Sequence, residues 1–156
     1  MQTIQYKNFI FTPNQKLLDV GCGQGRHSFG AYMHTDIEVV GVDMGFQDVL
    51  KAKQNFNQFK EKNDSKSCNF FVTNAKNLPF KNNEFDHVVC SEVLEHIIDY
   101  ESALKEIKRV LKPGGTFALS VPKYFPEWIC WKLSKEYQNA VSYTHLTLPT
   151  KAWCRS

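Results

Sequence analysis

This chain has no apolar run long enough to cross a bilayer, and its first residues, Met1-Gln2-Thr3-Ile4-Gln5-Tyr6-Lys7, lack the pattern of a secretory signal. Neither membrane insertion nor export is expected. A strong charge of either sign is also lacking: net +3 on 156 residues creates no field of the kind that gathers nucleic acid, so no such partner is expected. Cys22, Cys68, Cys90, Cys130 and Cys154 are odd in number and scattered, without metal-type pairing. That argues against a disulfide framework or a zinc site and fits a reducing, cytoplasmic setting. Glycine is sparse at eight residues, yet three of them, Gly21, Gly23 and Gly25, fall within five positions. The length suits one α/β domain with room for a core.

Those glycines end the apolar run Leu17-Leu18-Asp19-Val20 and precede Arg26-His27. A buried strand that breaks into Gly-x-Gly-x-Gly lets backbone approach a ligand where a Cβ would collide, and the helix that follows begins with unpaired N–H groups. This is a nucleotide-type cradle. The dinucleotide fingerprint would place its third glycine one position later, and Arg26 stands there. A nicotinamide oxidoreductase is therefore disfavoured.

Strands and helices alternate beyond the loop. Lys16 to Val20 reads as the first strand, and Arg26 to His34 as a helix that packs back through Phe29, Tyr32 and Met33. Glu38 to Val42 is the second strand, ending on Asp43. An acid about twenty residues after such a loop accepts hydrogen bonds from ribose hydroxyls, and it also suits a helix N-cap. The next helix carries Phe46, Val49, Leu50, Phe56 and Phe59 as core, and Glu61 to Ser67 is a polar loop. Cys68 to Thr73 is the third strand and Asp86 to Cys90 the fourth. Asp99 to Leu111 is an amphipathic helix with Lys105, Lys108 and Arg109 toward solvent. Lys112-Pro113-Gly114-Gly115 stops it, and Thr116 to Val121 is the fifth strand.

Three stretches together carry a resemblance. Asp19-Val20-Gly21-Cys22-Gly23-Gln24-Gly25 looks like motif I of the class I S-adenosylmethionine-dependent methyltransferases. Phe85-Asp86, an apolar strand and then Glu92-Val93-Leu94-Glu95-His96 resemble motif IV of their type 11 members, and Arg109-Val110-Leu111-Lys112-Pro113-Gly114-Gly115 is similar to a third family stretch. The resemblance implies a Rossmann-like, doubly wound, mainly parallel sheet, S-adenosyl-L-methionine as cofactor and a small-molecule methyl acceptor such as a quinone precursor or lipid. It implies that Gly21, Gly23 and Gly25 admit the methionine part, that Asp19 orients its ammonium group or simply stabilises the loop, and that Asp43 takes the ribose with Met44 beside it. Asn74 and Ala75 flank the adenine, with Asn74 where the family usually has aspartate, and Ser91 and Glu92 lie at the reacting end.

Methyl transfer from a sulfonium needs alignment more than catalytic groups. If the acceptor is a hydroxyl or an acidic carbon, His96 is the candidate base. Glu92, Glu95 and His96 at i, i+3 and i+4 share one helical face, a set that some relatives use for a divalent metal, although no further ligand is evident and no metal is expected. His27 and His87 read as structural, and Trp128 and Trp131 as core or as a substrate wall.

The resemblance runs from Leu17 to about Tyr137, and the helix and two strands that complete the family's sheet are not found, leaving strand five as an open edge. Val141 to Thr150 resembles a translated sequencing adapter, with Cys154-Arg155-Ser156 as its continuation. Residues 1–15 are thus expected as a lead-in, 16–140 as an incomplete cofactor-binding domain and 141–156 as a non-native tail. A non-catalytic cofactor-binding fragment is the second reading.

Overall fold

The computed structural model describes residues 4–34, 36–60 and 66–121. The expectations for Trp128 and Trp131, for most of the loop before Ser67 and for the tail lie outside these residues. Five strands, β1 (Lys16–Val20), β2 (Glu38–Asp43), β3 (Cys68–Val72), β4 (Phe85–Ser91) and β5 (Leu111–Ser120), form one parallel sheet in the order β3-β2-β1-β4-β5. Helices α1 (Arg26–His34), α2 (Phe46–Phe59) and α3 (Tyr100–Val110) cover its two faces. Chain direction across the sheet reverses between β1 and β4, which opens a crevice at the carboxyl ends of these strands.

The period-two geometry of a strand explains the two-sided core. Leu17 points into a cluster with Ala31, Val49, Phe56 and Phe70 on the α1 and α2 side, whereas Leu18 and Val20 point into the opposite cluster with Val88, Leu104 and Ile107 under α3. Both faces of β1 are therefore dry, and its sequence is apolar apart from Asp19 and the terminal Lys16. The lead-in contributes as well: Ile4 and Tyr6 are buried on the α1 side, and the Tyr6 hydroxyl donates to the His27 carbonyl at 2.9 Å.

Several expectations shift. Val49 and Phe56 of α2 are buried together with Ala52, but Phe46, Leu50 and Phe59 are exposed, because one helical stripe faces the sheet and these three flank it. Met33 is likewise exposed. Arg109 does not reach into solvent: its guanidinium donates to Leu78 O at 2.8 Å, Phe80 O at 2.7 Å and the Glu106 carboxylate at 2.7 Å, while Glu106 accepts the Leu78 N–H at 2.7 Å. This clamp fixes the Leu78-Pro79-Phe80 segment onto α3. Strand five starts earlier than expected, at Leu111, which opposes Phe85 before the register jumps to pair His87 with Thr116. Lys112 to Gly115 take up the slack, with Gly114 at φ +75°. Among the described residues β5 is the outermost strand on its side.

Candidate functional site

The glycine loop is lashed to β2. Gly21 and Cys22 both donate their N–H to the Val42 carbonyl, at 2.8 and 3.0 Å, and Gly23 N–H donates to Asp43 Oδ2 at 2.8 Å. Gly25 N–H closes the turn onto Cys22 O at 2.9 Å. Gly21, Gly23 and Gly25 all sit at positive φ, which L side chains avoid. A Cβ on Gly21 would lie 2.1 Å from Val93, whereas one on Gly23 would meet nothing within 4 Å. The loop keeps one glycine for a protein neighbour and another for open space.

A cavity of about 270 Å³ lies beside this loop at the carboxyl ends of the strands. Gly21 borders it from β1, Asp43 and Met44 from β2, Thr73, Asn74 and Ala75 from beyond β3, and Glu92, Val93, His96 and Ile97 from beyond β4. Of the eleven residues expected to serve the site, seven share this cavity: Gly21, Asp43, Met44, Asn74, Ala75, Glu92 and His96. Asp19, Gly23, Gly25 and Ser91 are not on its wall.

Each of the four has another setting. Asp19 is fully buried and accepts the Ser28 hydroxyl at 2.6 Å; burial pushes its carboxyl up to about 6, against the pull of Ser28. Ser91 bonds the Ser120 hydroxyl at 2.9 Å and ties β4 to β5. Gly25 lies under the Phe29 ring, and Gly23 carries the loop's bond to Asp43.

Asp43 is doubly engaged, since its Oδ1 accepts the Gly45 N–H at 2.8 Å while Oδ2 holds Gly23. Each carboxylate oxygen retains acceptor capacity for a ligand hydroxyl. Its other expected role, as cap of α2, falls instead to Gly45. Opposite, Glu92 adopts φ +57° while its N–H donates to Ser120 O at 2.8 Å. A bulky residue held in this conformation is strained, and such strain gathers at functional sites.

The expected helical face of Glu92, Glu95 and His96 does not form. Only one 3-10 turn, Leu94–His96, follows β4, and Glu92 lies before it. Among the described residues no three His, Cys, Asp or Glu side chains group to hold a metal. The His96 side chain is largely exposed at the cavity wall, 4.0 Å from Glu95 Oε1. Glu95 was legible only as part of the Glu-x-x-Glu-His pattern. Its carboxyl is mostly buried, which raises its pKa, and Oε2 has no hydrogen-bond partner among the described residues. Thr73, Val93 and Ile97 also line the cavity; their only sequence signal is position just past a strand's carboxyl end. His27 and His87 are buried, and burial lowers the pKa of both, His27 to about 4.

Sheet order, glycine loop and an acid at the end of β2 define a Rossmann-like protein built to hold a nucleoside-bearing ligand. A family model described as a methyltransferase domain matches residues 11–153, and the chain belongs to that family, with the class I fold of the S-adenosylmethionine-dependent methyltransferases. It is 32% identical over 106 residues to O-methyltransferase rstn1 of Aspergillus nomiae, covering 68% of this chain and 46% of that protein. Identity to the demethylmenaquinone methyltransferase of Symbiobacterium thermophilum is 33% over 137 residues, 85% of this chain and 48% of the relative. The chain thus spans less than half the length of either relative. Among solved structures, phosphoethanolamine N-methyltransferase 2 of Haemonchus contortus, in complex with S-adenosyl-L-methionine, superposes with a TM-score of 0.65 at 25% identity, over 83% of this chain and 30% of that one.

Proposed function

We propose that this chain binds S-adenosylmethionine in the cavity between the ends of β1 to β4 and serves transfer of its methyl group to a small, largely apolar acceptor. One observation carries the reading. Asp43, at the end of β2, is locked by the Gly23 and Gly45 N–H groups on the wall of a cavity whose loop is kept open by glycine. A carboxylate fixed there suits the two hydroxyls of a ribose, and next to it, off the cavity wall, Gly23 faces open space. The N–H groups of Gly21, Cys22, Gly23 and Gly25 already have protein acceptors, so this loop offers little to a pyrophosphate. That favours a phosphate-free cofactor over a dinucleotide.

When bound, the sulfonium supplies an activated methyl group. The residues of this chain align and shelter: Asp43 fixes the sugar, Asn74 and Ala75 take the base, and Glu92 with His96 stands on the opposite bank. His96 is exposed and free to take a proton from an acceptor hydroxyl or acidic carbon. Val93 and Ile97 make that bank apolar, which suits an apolar acceptor. Calorimetric titration with S-adenosylmethionine and with NADH tests the reading. Binding of the first alone is expected, reduced at least tenfold in Asp43→Ala; preference for NADH would overturn it.

A further inference from the structure

We infer that residues 9–15 form an acid-released strap over His87: the neutral imidazole fastens the strap to the sheet, and a proton on its second nitrogen lets the strap go. His87 stands in β4 between Leu17 of β1 and Thr116 of β5 and is 3% exposed. The lead-in helps to cover it. Phe9 and Phe11 stack on each other at 5.3 Å and meet the imidazole edge to face, at 5.7 and 4.9 Å between ring centres. Gln15 adds a polar tie, its Oε1 lying 2.9 Å from His87 Nε2.

The hydrogen bonds fix where the ring carries its proton. Thr12 N–H donates to the same Gln15 Oε1 at 2.8 Å, so this atom is the amide's carbonyl oxygen and can only accept. His87 Nε2 must therefore donate, and the neutral ring keeps its lone pair on Nδ1. That nitrogen is buried and has no hydrogen-bond partner among the described residues. A proton added there would create a charged N–H with neither acceptor nor solvent, which opening of the strap would cure. The charged groups nearby do not supply the acceptor. Asp86, the neighbour on β4, accepts from Lys112 of β5 at 2.8 Å and from the Lys16 N–H at 2.9 Å, and the Lys16 ammonium is paired with Glu38 of β2. From the strap the ring meets Phe9, Phe11 and Gln15, none of which titrates. Burial lowers the pKa of His87 from its ordinary 6.5; Asp86 opposes this and Lys112 adds to it. The closed strap thus binds fewer protons than the open one. Its stability is full above pH 6.5 and falls with acid, the opening constant rising by up to about tenfold per pH unit.

The full chain, labelled with 13C and 15N in histidine and with 13C in phenylalanine, would be titrated by NMR from about pH 8 to about pH 5, a range in which His27, with a pKa of about 4, stays neutral. At the upper end His87 is expected to carry its proton on Nε2 and to show Overhauser contacts with both phenylalanine rings. Toward the lower end the ring charges and those contacts are lost together, while circular dichroism shows the helices and sheet intact. His87→Gln keeps a donor for Gln15 but cannot titrate, so contacts of Phe9 and Phe11 with the sheet should hold across the range. A charged ring that keeps both contacts, a proton on Nδ1 at the upper end, or a ring that neither charges nor loses its contacts overturns the switch. Loss of the phenylalanine contacts in His87→Gln over the same range overturns it too, and the wild-type titration decides alone if that variant does not fold.

Discussion

Gly21 and Gly23 share a left-handed backbone but face different neighbours, so equal substitutions should separate fold from ligand. Alanine at either position carries a left-handed cost of about 1–2 kcal/mol. At Gly21 the new Cβ also falls 2.1 and 2.8 Å from the two methyl carbons of Val93, whose branched side chain has few rotamers to retreat into. Overpacking of this kind adds about 1–3 kcal/mol. Gly21→Ala should therefore lose about 2–5 kcal/mol, or roughly 5–20 °C in melting temperature for a domain of this size, and Gly23→Ala about 1–2 kcal/mol. Thermal and urea unfolding give these values. Combining Gly21→Ala with Val93→Ala should return about 1–3 kcal/mol of coupling in a double-mutant cycle. Gly23→Leu should fold yet give no calorimetric signal with S-adenosylmethionine. Additivity of Gly21 and Val93 within about 0.5 kcal/mol, or wild-type affinity in Gly23→Leu, would refute the reasoning about the loop.

Two further outcomes follow from buried charge. Because the folded pKa of Asp19 is raised to about 6, its contribution to stability is full below the unfolded value near 4 and is lost as pH rises through 6. Urea unfolding of wild type and Asp19→Asn should show the variant gaining on the wild type by about 2–3 kcal/mol between pH 4 and 8; a constant difference would count against it. His27 acts oppositely: with its folded pKa near 4, its contribution is present above about 6.5 and fades as pH falls through 4, in both proteins alike. Arg109→Ala should destabilise by about 2–3 kcal/mol, since it leaves Glu106 and two main-chain carbonyls without their charged donor, and hydrogen exchange should quicken at Leu78. Unchanged exchange there would mean that the segment is held by other contacts.

Much of the fold was legible because apolar runs and glycine turns are local signals. β1 and α1 coincide with their expected bounds, and Asp43 ends β2 as its sequence suggested. The misses share a cause. Whether Phe46 or Met33 is buried depends on which stripe of a helix meets the sheet, and whether Arg109 faces water depends on carbonyls near residue 80 that no spacing rule connects to it. The turn after β4 shows the same limit: Glu92, Glu95 and His96 suit a helix by spacing, but the chain makes only one tight turn there. At the site, residue types past strand ends marked the cavity wall, while the settings of Asp19 and Ser91 were set by Ser28 and Ser120, distant in sequence.

The fastening of the glycine loop to β2 governs how anything enters or leaves. With three consecutive amides moored to Val42 and Asp43, the turn behaves as a prolongation of the sheet and cannot lift like a flap. On the far shore a single short turn faces it, with Leu94 buried and the Glu92 N–H held by Ser120 O. A change of width at the hollow therefore cannot come from the glycine turn without breaking its bonds to β2.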